Sequence, residues 1–122
     1  MAESLSIYAD LEEDVNKLAR ATAFNLLTGI VKKTPVDTGR ARGNWQLNIN
    51  NPISSISDEK SQSGAAAINK GAAVIGKAKD IEFPVFWLTN NLPYIGRLNN
   101  GYSQQAPAKF VETEIKRVVN KK

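Results

Sequence analysis

Thr34-Pro-Val-Asp-Thr-Gly-Arg-Ala-Arg-Gly-Asn-Trp-Gln-Leu-Asn-Ile-Asn50 is the stretch in which the periodicity of this sequence changes. Pro35 restricts the residue before it to extended geometry, so a preceding helix must end here. The turn that follows contains Asp37, which can accept main-chain N–H bonds, and Gly39, which can take a positive φ angle. From Trp45 to Asn50 apolar residues alternate with amides, which predicts a strand with one face in water.

The segment before this stretch has the pattern of a long helix. Apolar residues recur at helical spacing, which predicts a helix over residues 10–33. Asp10 and Glu13 have the spacing of a capping box, which places the first turn at Asp10. A second apolar stripe on the later half predicts that this half packs on two sides, and it consists of Phe24, Leu27 and Val31.

The rest of the chain predicts two more helices and one more strand. Residues 65–79 are rich in Ala and have helical apolar spacing, while residues 83–90 have the composition of a strand. The continuous run Val85-Phe-Trp-Leu88 predicts burial on both faces, with Trp87 in the core as we also expect for Trp45. Pro107 suits the first position of a last helix. With the strands adjacent, we predict a single α+β domain: a long N-terminal helix, a small, mostly antiparallel sheet, an Ala-rich middle helix and a C-terminal helix.

Two long polar segments connect these elements. Residues 51–64 consist mostly of Ser, Asn, Asp, Lys and Gln, which predicts a mobile loop. Residues 92–107 are rich in amides and contain no His, Cys or acidic residue, a composition suited to recognition and not to catalysis. Because Tyr and Arg are typical of interfaces, we predict a subunit interface on this second loop. Its candidate residues are Tyr94, Arg97, Asn99, Tyr102 and Gln105.

The composition narrows the classes of function. A chain of 122 residues forms one domain. The absence of Cys removes disulfides and thiolate chemistry, and the absence of His removes the commonest general base and the commonest zinc ligand. We therefore predict no enzymatic activity, no catalytic residue, no metal and no cofactor. No apolar run approaches the roughly 20 residues that span a bilayer, and the N-terminus lacks the pattern of a signal peptide, so no membrane partner is expected.

The net charge of +4 and the pI of 9.4 leave two interpretations of the basic residues. They complement the negative ends of helix dipoles, or they contact nucleic acid. The segment Gly71-Ala-Ala-Val-Ile-Gly-Lys77 matches part of a phosphate-binding loop. However, Ala78 stands where Ser or Thr would hold magnesium, and no strand precedes the first glycine, so we exclude nucleotide hydrolysis. A carboxylate-dependent hydrolase would need two carboxylates that converge in a pocket. No pair of Asp or Glu residues in the sequence has a spacing that indicates such a site.

Two separated segments resemble a known family. Thr34-Pro-Val-Asp-Thr-Gly-Arg40, followed by Arg42 and Trp45, resembles the motif after the first helix in phage tail-completion and minor tail proteins. That neck group includes the lambda minor tail protein Z type. The second half of the chain is similar to the group's Asn-x-x-Pro-Tyr, Leu-x-x-Gly and Ala-Pro segments, through Asn90-Asn-Leu-Pro-Tyr-Ile95, Leu98-Asn-Asn-Gly-Tyr-Ser103 and Gln105-Ala-Pro107.

The resemblance implies a structural virion protein that forms a ring at the head–tail junction of long-tailed phages. Such a ring, of six-fold or twelve-fold symmetry, completes the tail for joining to the DNA-filled head. The implied partners are copies of the chain itself, tail terminator or tail tube proteins, and head-completion or portal-side proteins, with non-specific contact to packaged DNA. The implied location is the virion, and the host cytoplasm during assembly. A head-side adaptor of the neck and a small basic nucleic-acid-binding module are the alternatives.

The resemblance also assigns roles to individual residues. One set is implied to shape the turn after the long helix, namely Thr34, Pro35, Asp37, Gly39 and Arg40. A second set is implied to shape the later loop, namely Asn91, Pro93, Tyr94, Leu98, Asn99 and Gly101. Ala106 and Pro107 are implied to begin the last helix.

Overall fold

The computed structural model describes residues 2–35, 39–58, 60, 62–93, 95–100 and 109–119. Within these ranges it describes side chains from residue 13 onward, except those of Arg97 and Leu98. The elements in chain order are α1 (Ala2–Lys33), α2 (Arg40–Gly43), β1 (Gln46–Ile49), α3 (Ala65–Lys77), a 3₁₀ turn (Ala78–Asp80), β2 (Phe86–Thr89), α4 (Ile95–Asn99) and α5 (Phe110–Val119). The fold is α+β, as the sequence predicts.

Helix α1 is longer than predicted at its N-terminal end. It begins at Ala2, so the predicted start and cap at Asp10 are wrong. Residues 2–9 contain neither Gly nor Pro, and nothing in them interrupts a helix. The C-terminal end is where Pro35 predicts it. Thr34 donates its main-chain N–H to the carbonyl oxygen of Ile30 at 3.0 Å, and the helix stops there.

The two strands pair antiparallel, with Leu47 opposite Leu88 and Asn48 opposite Trp87. Because opposite residues share a face, Leu47 and Leu88 point toward the core, while Asn48 and Trp87 lie on the outer face. The predicted alternation of β1 is confirmed. The predicted burial of β2 on both faces is wrong, because Trp87 is 43% exposed and the neighbouring Val85 is 56% exposed. Trp45, in contrast, is buried as expected.

Helices α1 and α3 cover the inner face of the sheet. Leu27 and Val31 of α1 are fully buried and pack with Trp45 and Ala67. The third member of the predicted second stripe, Phe24, is 41% exposed. A second cluster joins both helices to the strands, and it contains Ala23, Leu47 and Ile75 with Val74, Phe86 and Leu88 around them.

Glycine sets the distance between α1 and its two helical neighbours. A side chain at Gly71 of α3 would overlap Leu27, so the small residue permits this close approach. On the other side, the carboxylate of Glu114 from α5 lies over Gly29. Glu114 is almost fully buried and accepts a hydrogen bond from Nε of Arg117 at 2.7 Å. The second glycine of α3, Gly76, has open space beside it, so close packing does not explain that residue.

Three further differences from the predicted elements lie in the connections. Residues 40–43 form the short helix α2, where only a turn and the approach to a strand are predicted. Residues 95–99 form α4 inside the segment predicted to be a loop. The last helix begins at Phe110 and not at Pro107, which itself lies outside the described residues. Residues 51–58, in contrast, have no regular structure, in agreement with the predicted loop.

Candidate interaction surface

Thr34, the first residue of the earlier motif, lies in the core. Its hydroxyl donates to the carbonyl oxygen of Ile30 at 2.7 Å and accepts the indole N–H of Trp45 at 2.8 Å. Both side chains are buried, so each polar group needs the other. The motif therefore joins the end of α1 to the residue that precedes β1.

Arg42 binds three main-chain carbonyl groups around this turn. Its guanidinium donates to Thr34 at 2.7 Å, to Lys32 at 2.9 Å and to Gln62 at 2.7 Å. A cation bonded to the last carbonyls of a helix also complements the negative end of the helix dipole. Arg42 thus fixes the C-terminal end of α1 and holds against it the end of the loop that precedes α3. The sequence identifies Arg42 only as a residue flanking the motif.

Asn44 and Gln46 hold the loop of residues 51–58 beside the sheet. The buried Asn44 accepts the main-chain N–H of Ser57 at 2.7 Å and donates to its carbonyl at 3.0 Å. Gln46 donates to the carbonyl of Ser55 at 2.9 Å. These side chains form hydrogen bonds with main-chain groups of the loop, as the main chain of a neighbouring strand would. The predicted mobility of the loop is a separate property, and it stays a prediction.

Two consecutive amides of the later motif bond the earlier segment and the loop of residues 51–58. Asn90 donates to the carbonyl of Ala41 in α2 at 3.0 Å. Asn91 donates to the carbonyls of Ile53 at 2.7 Å and Ser55 at 3.0 Å. The two motif segments, far apart in sequence, therefore lie in one hydrogen-bonded network with the loop between them. We call this arrangement of Arg42, Asn44, Gln46, Asn90 and Asn91 the amide network.

Asn99 organises the start of α5 within the same chain. Its side-chain oxygen accepts the main-chain N–H of Val111 at 3.0 Å, and its carbonyl accepts that of Lys109. It is a helix cap supplied from a distant part of the sequence. Its amide also donates to the carboxylate of Glu112 at 2.6 Å. This hydrogen bond, with Lys109 and Lys116 nearby, lowers the pKa of Glu112.

Several predicted site residues fall outside the part of the chain that the structure describes. These are Asp37, Tyr94, Gly101, Tyr102, Gln105, Ala106 and Pro107. For Arg97 and Leu98 the main chain lies in α4, but the side chains are not described. Of the remaining motif residues, Pro35 and Gly39 are buried, while Arg40 and Pro93 are exposed. The predicted subunit interface on the second loop stays a prediction.

The amide network contains donors, acceptors and one guanidinium, but no carboxylate among the residues that define it. Within the described ranges, no group of three or more His, Cys, Asp or Glu residues is placed to hold a metal. The segment Gly71–Lys77, which resembles a phosphate loop, lies inside α3. Its main-chain N–H groups are therefore in a helix and do not form a loop around a phosphate.

Two surface depressions are lined by described residues, and the second includes Gln46 of the amide network. A polar groove of about 380 Å³ lies between α1 and the 3₁₀ turn, lined by side chains of both charge signs. Its one buried polar side chain is Asn16, which donates to the carbonyls of Ala78 and Ile81 and accepts from Arg20. Since Asn16 already has these partners, it does not point to a ligand. The second depression, of about 160 Å³, is mainly apolar and lies between β1, α3 and the loop.

The sequence did not indicate Asn16 and Asn44 as structural residues, and it placed Asn90 in the later motif without indicating its partner. Each bonds a main chain distant in sequence, and an Asn among other polar residues carries no signal of its partner. A weak signal exists for Asn44, because it stands next to Trp45 at a predicted buried end of a strand.

Comparison of the chain with protein-family models, with curated proteins and with solved structures gave no match. Among the described helices, none combines the length and the apolar character that a membrane crossing requires.

Proposed function

We propose that this chain is a structural virion protein of the phage neck or tail, which forms a ring at the head–tail junction and completes the tail for joining to the head. The observation that supports the proposal is the hydrogen bond from Asn90 to Ala41. It joins the two segments on which the family resemblance rests. Two motifs that meet in space are better explained by one shared role than by two chance matches.

The mechanism is assembly without chemistry. Copies of the chain form a closed ring, and a ring requires two different contact faces on each subunit. One end of the ring meets tail terminator or tail tube proteins, and the other meets head-completion or portal-side proteins. The ring order is six or twelve. The protein resides in the virion and, during assembly, in the host cytoplasm.

The amide network suits such a role. Its Asn and Gln side chains donate hydrogen bonds to main-chain carbonyl groups of the connecting loop. They bind the loop to the sheet without adding charge. Loops that already have these hydrogen bonds lose less conformational entropy when a partner binds. Neighbouring subunits and tiers then meet a preformed surface formed by the two motifs.

The test is a deletion of the gene from its phage, followed by negative-stain microscopy of the lysate. We expect separate DNA-filled heads together with unattached or overlong tails. Complementation with the wild-type chain restores joined particles. Infectious particles of normal appearance from the deletion phage would reject the neck assignment.

A double variant then tests the predicted interface. Y94A/R97A is expected to remain folded by circular dichroism and to fail in complementation. The matched control is N69A/K77A, which changes two exposed residues of α3 and is expected to restore joined particles. An unfolded Y94A/R97A subunit would instead assign these residues to the core.

The nucleic-acid-binding alternative is favoured by one observation. Lys32, Lys33 and Arg40 are exposed around the C-terminal end of α1, in a chain of pI 9.4. Binding of double-stranded DNA by the isolated chain, with an affinity that falls steeply with salt, would favour this alternative. In the neck assignment such contacts are to phosphate and carry no sequence preference.

A further inference from the structure

The two most exposed large apolar side chains among the described residues lie on different helices. Leu18 of α1 is 68% exposed, and Val119 of α5 is 60% exposed. Each has a second exposed apolar side chain one turn away, Val15 on α1 and Ile115 on α5. Residues three or four apart are neighbours on one side of a helix, so each pair forms a continuous apolar strip. Neither strip covers the other within the chain, because all four side chains are exposed.

A charged side chain borders each strip, and the two charges have opposite signs. Asp14 is a helical neighbour of Leu18, and Lys116 is a helical neighbour of Val119. The first surface, which we call the α1 patch, consists of Asp14, Val15 and Leu18. The second, which we call the α5 patch, consists of Ile115, Lys116 and Val119.

The basic residues closest in sequence to the α1 patch belong to another side of α1. Lys17 and Arg20 line the polar groove beside the 3₁₀ turn, to which the α1 patch does not contribute. Lys17 is paired with Glu13 at 3.7 Å, and Arg20 donates to Asn16 at 2.7 Å. Within the described part of the chain Asp14 has no ion pair. The α1 patch therefore presents an apolar strip with a negative border.

The sequence charges around the two patches have opposite signs as well. Residues 1–14 contain five acidic residues and no basic one, whereas residues 115–122 contain four basic residues and no acidic one. Glu112, which precedes the α5 patch by one turn, already accepts a hydrogen bond from Asn99. Contact between two α1 patches would bring acidic segments together, and contact between two α5 patches would bring basic ones together. The charges attract when an α1 patch meets an α5 patch.

We propose that the α1 patch binds the α5 patch of a second copy of this chain. Val15 and Leu18 pack against Ile115 and Val119 of that copy, and Asp14 lies beside its Lys116. The other side of α5 is already packed on its own α1, where Glu114 lies over Gly29, so the α5 patch is presented on a fixed helix.

This contact goes beyond the ring proposed above, because it names the two surfaces that meet. A closed ring and a two-fold pair of copies can both contain it. The contact therefore does not depend on the neck assignment, which the deletion phage tests separately.

Cross-linking tests the pairing directly, because the natural chain contains no Cys. L18C and V119C are treated with a short bismaleimide, separately and as an equimolar mixture. We expect a cross-linked dimer from the mixture and little from either variant alone. The control is a mixture of L18C with V85C, because Val85 is almost as exposed as Val119 but lies in neither patch. Dimers from L18C alone in equal yield, or equal yields from the mixture and the control, would overturn the proposal.

A charge exchange supplies a second readout, the dissociation constant of self-association measured by sedimentation equilibrium. D14K and K116E are each expected to raise this constant by about threefold, as for the loss of an exposed ion pair. The double variant D14K/K116E, which has the net charge of the wild type, is expected to restore it. The control K77E makes the same charge change on an exposed residue of α3 and should not weaken association. Circular dichroism checks that each variant is folded.

Three results of this experiment contradict the proposal. One is a wild-type chain that stays monomeric at every concentration. Another is a double variant that associates as weakly as the single variants. The third is a K77E variant that loses as much affinity as K116E, because net charge and not the α5 patch would then control association.

Discussion

The indole N–H of Trp45 donates a hydrogen bond of 2.8 Å to the hydroxyl of Thr34, with both residues buried in the core. The same hydroxyl donates to the last turn of α1. A single Thr thus links a helix end to the beginning of the sheet. This link explains why a motif in a turn contains a fully buried residue.

Replacement of Thr34 by Val tests this link. T34V keeps the shape of the side chain but leaves the indole N–H of Trp45 buried without its acceptor. We expect the free energy of unfolding to fall by about 1–3 kcal/mol, measured by urea denaturation. The control is T28V, whose hydroxyl donates to carbonyls of its own helix and which should change stability by less than about 0.5 kcal/mol. Equal losses in the two variants would contradict a special role of Thr34.

The two glycines of α3 form a matched pair for a second prediction. G71A places a methyl group against the buried Leu27, and such overpacking costs about 1–3 kcal/mol. G76A adds a methyl group in open space and gains up to about 1 kcal/mol of helix propensity. We therefore expect G76A to melt at a higher temperature than the wild type and G71A at a lower one. A stabilised G71A would mean that α3 can move away from α1.

The parts of the fold that local signals determine could be predicted from the sequence. Pro35 ends α1 by its own steric effect, and the alternation from Trp45 to Ile49 fixes which face of β1 is buried. The start of α1 could not be predicted in this way. A capping-box spacing at Asp10 was present, but the residues before it also favour a helix, and no local rule ranks the two signals.

The other features of the fold and of the candidate site depend on contacts between segments that are distant in sequence. Trp87 belongs to an apolar run typical of a fully buried strand, yet in the part of the chain that the structure describes the helices cover one face of the sheet and leave Trp87 on the other. The amide network was not predictable either, because its acceptors are main-chain carbonyls that every residue carries. The sequence predicted that both motifs matter, but it gave no sign that Asn90 contacts α2.

The pKa of Glu112 provides a third prediction. The hydrogen bond from Asn99 lowers this pKa, so ionised Glu112 stabilises the folded chain. That contribution is fully present above the ordinary carboxyl pKa and is lost as the pH falls through the lower folded-state pKa. In N99A we expect the pKa of Glu112 to rise toward its ordinary value, measured by carboxyl ¹³C NMR titration. The control is N100A, at an exposed residue, which should leave the pKa unchanged. No change in N99A would assign the lowered pKa to the main-chain hydrogen bond of Glu112 and to Lys109 and Lys116.

Asn91 controls the loop of residues 51–58, and its replacement by Asp provides the fourth prediction. The amide of Asn91 donates to two loop carbonyls, whereas a carboxylate would repel both of them. We expect N91D to lose about 1–3 kcal/mol of unfolding free energy and to raise the hydrogen-exchange rate of the Ser57 amide. The control is N69D, which makes the same charge change at an exposed residue of α3. Unchanged protection of Ser57 in N91D would mean that Asn44 alone holds the loop. The wild-type rates also test the predicted mobility: a Ser57 amide that exchanges nearly as fast as in an unfolded chain would mean that the loop is mobile and that these hydrogen bonds are open most of the time.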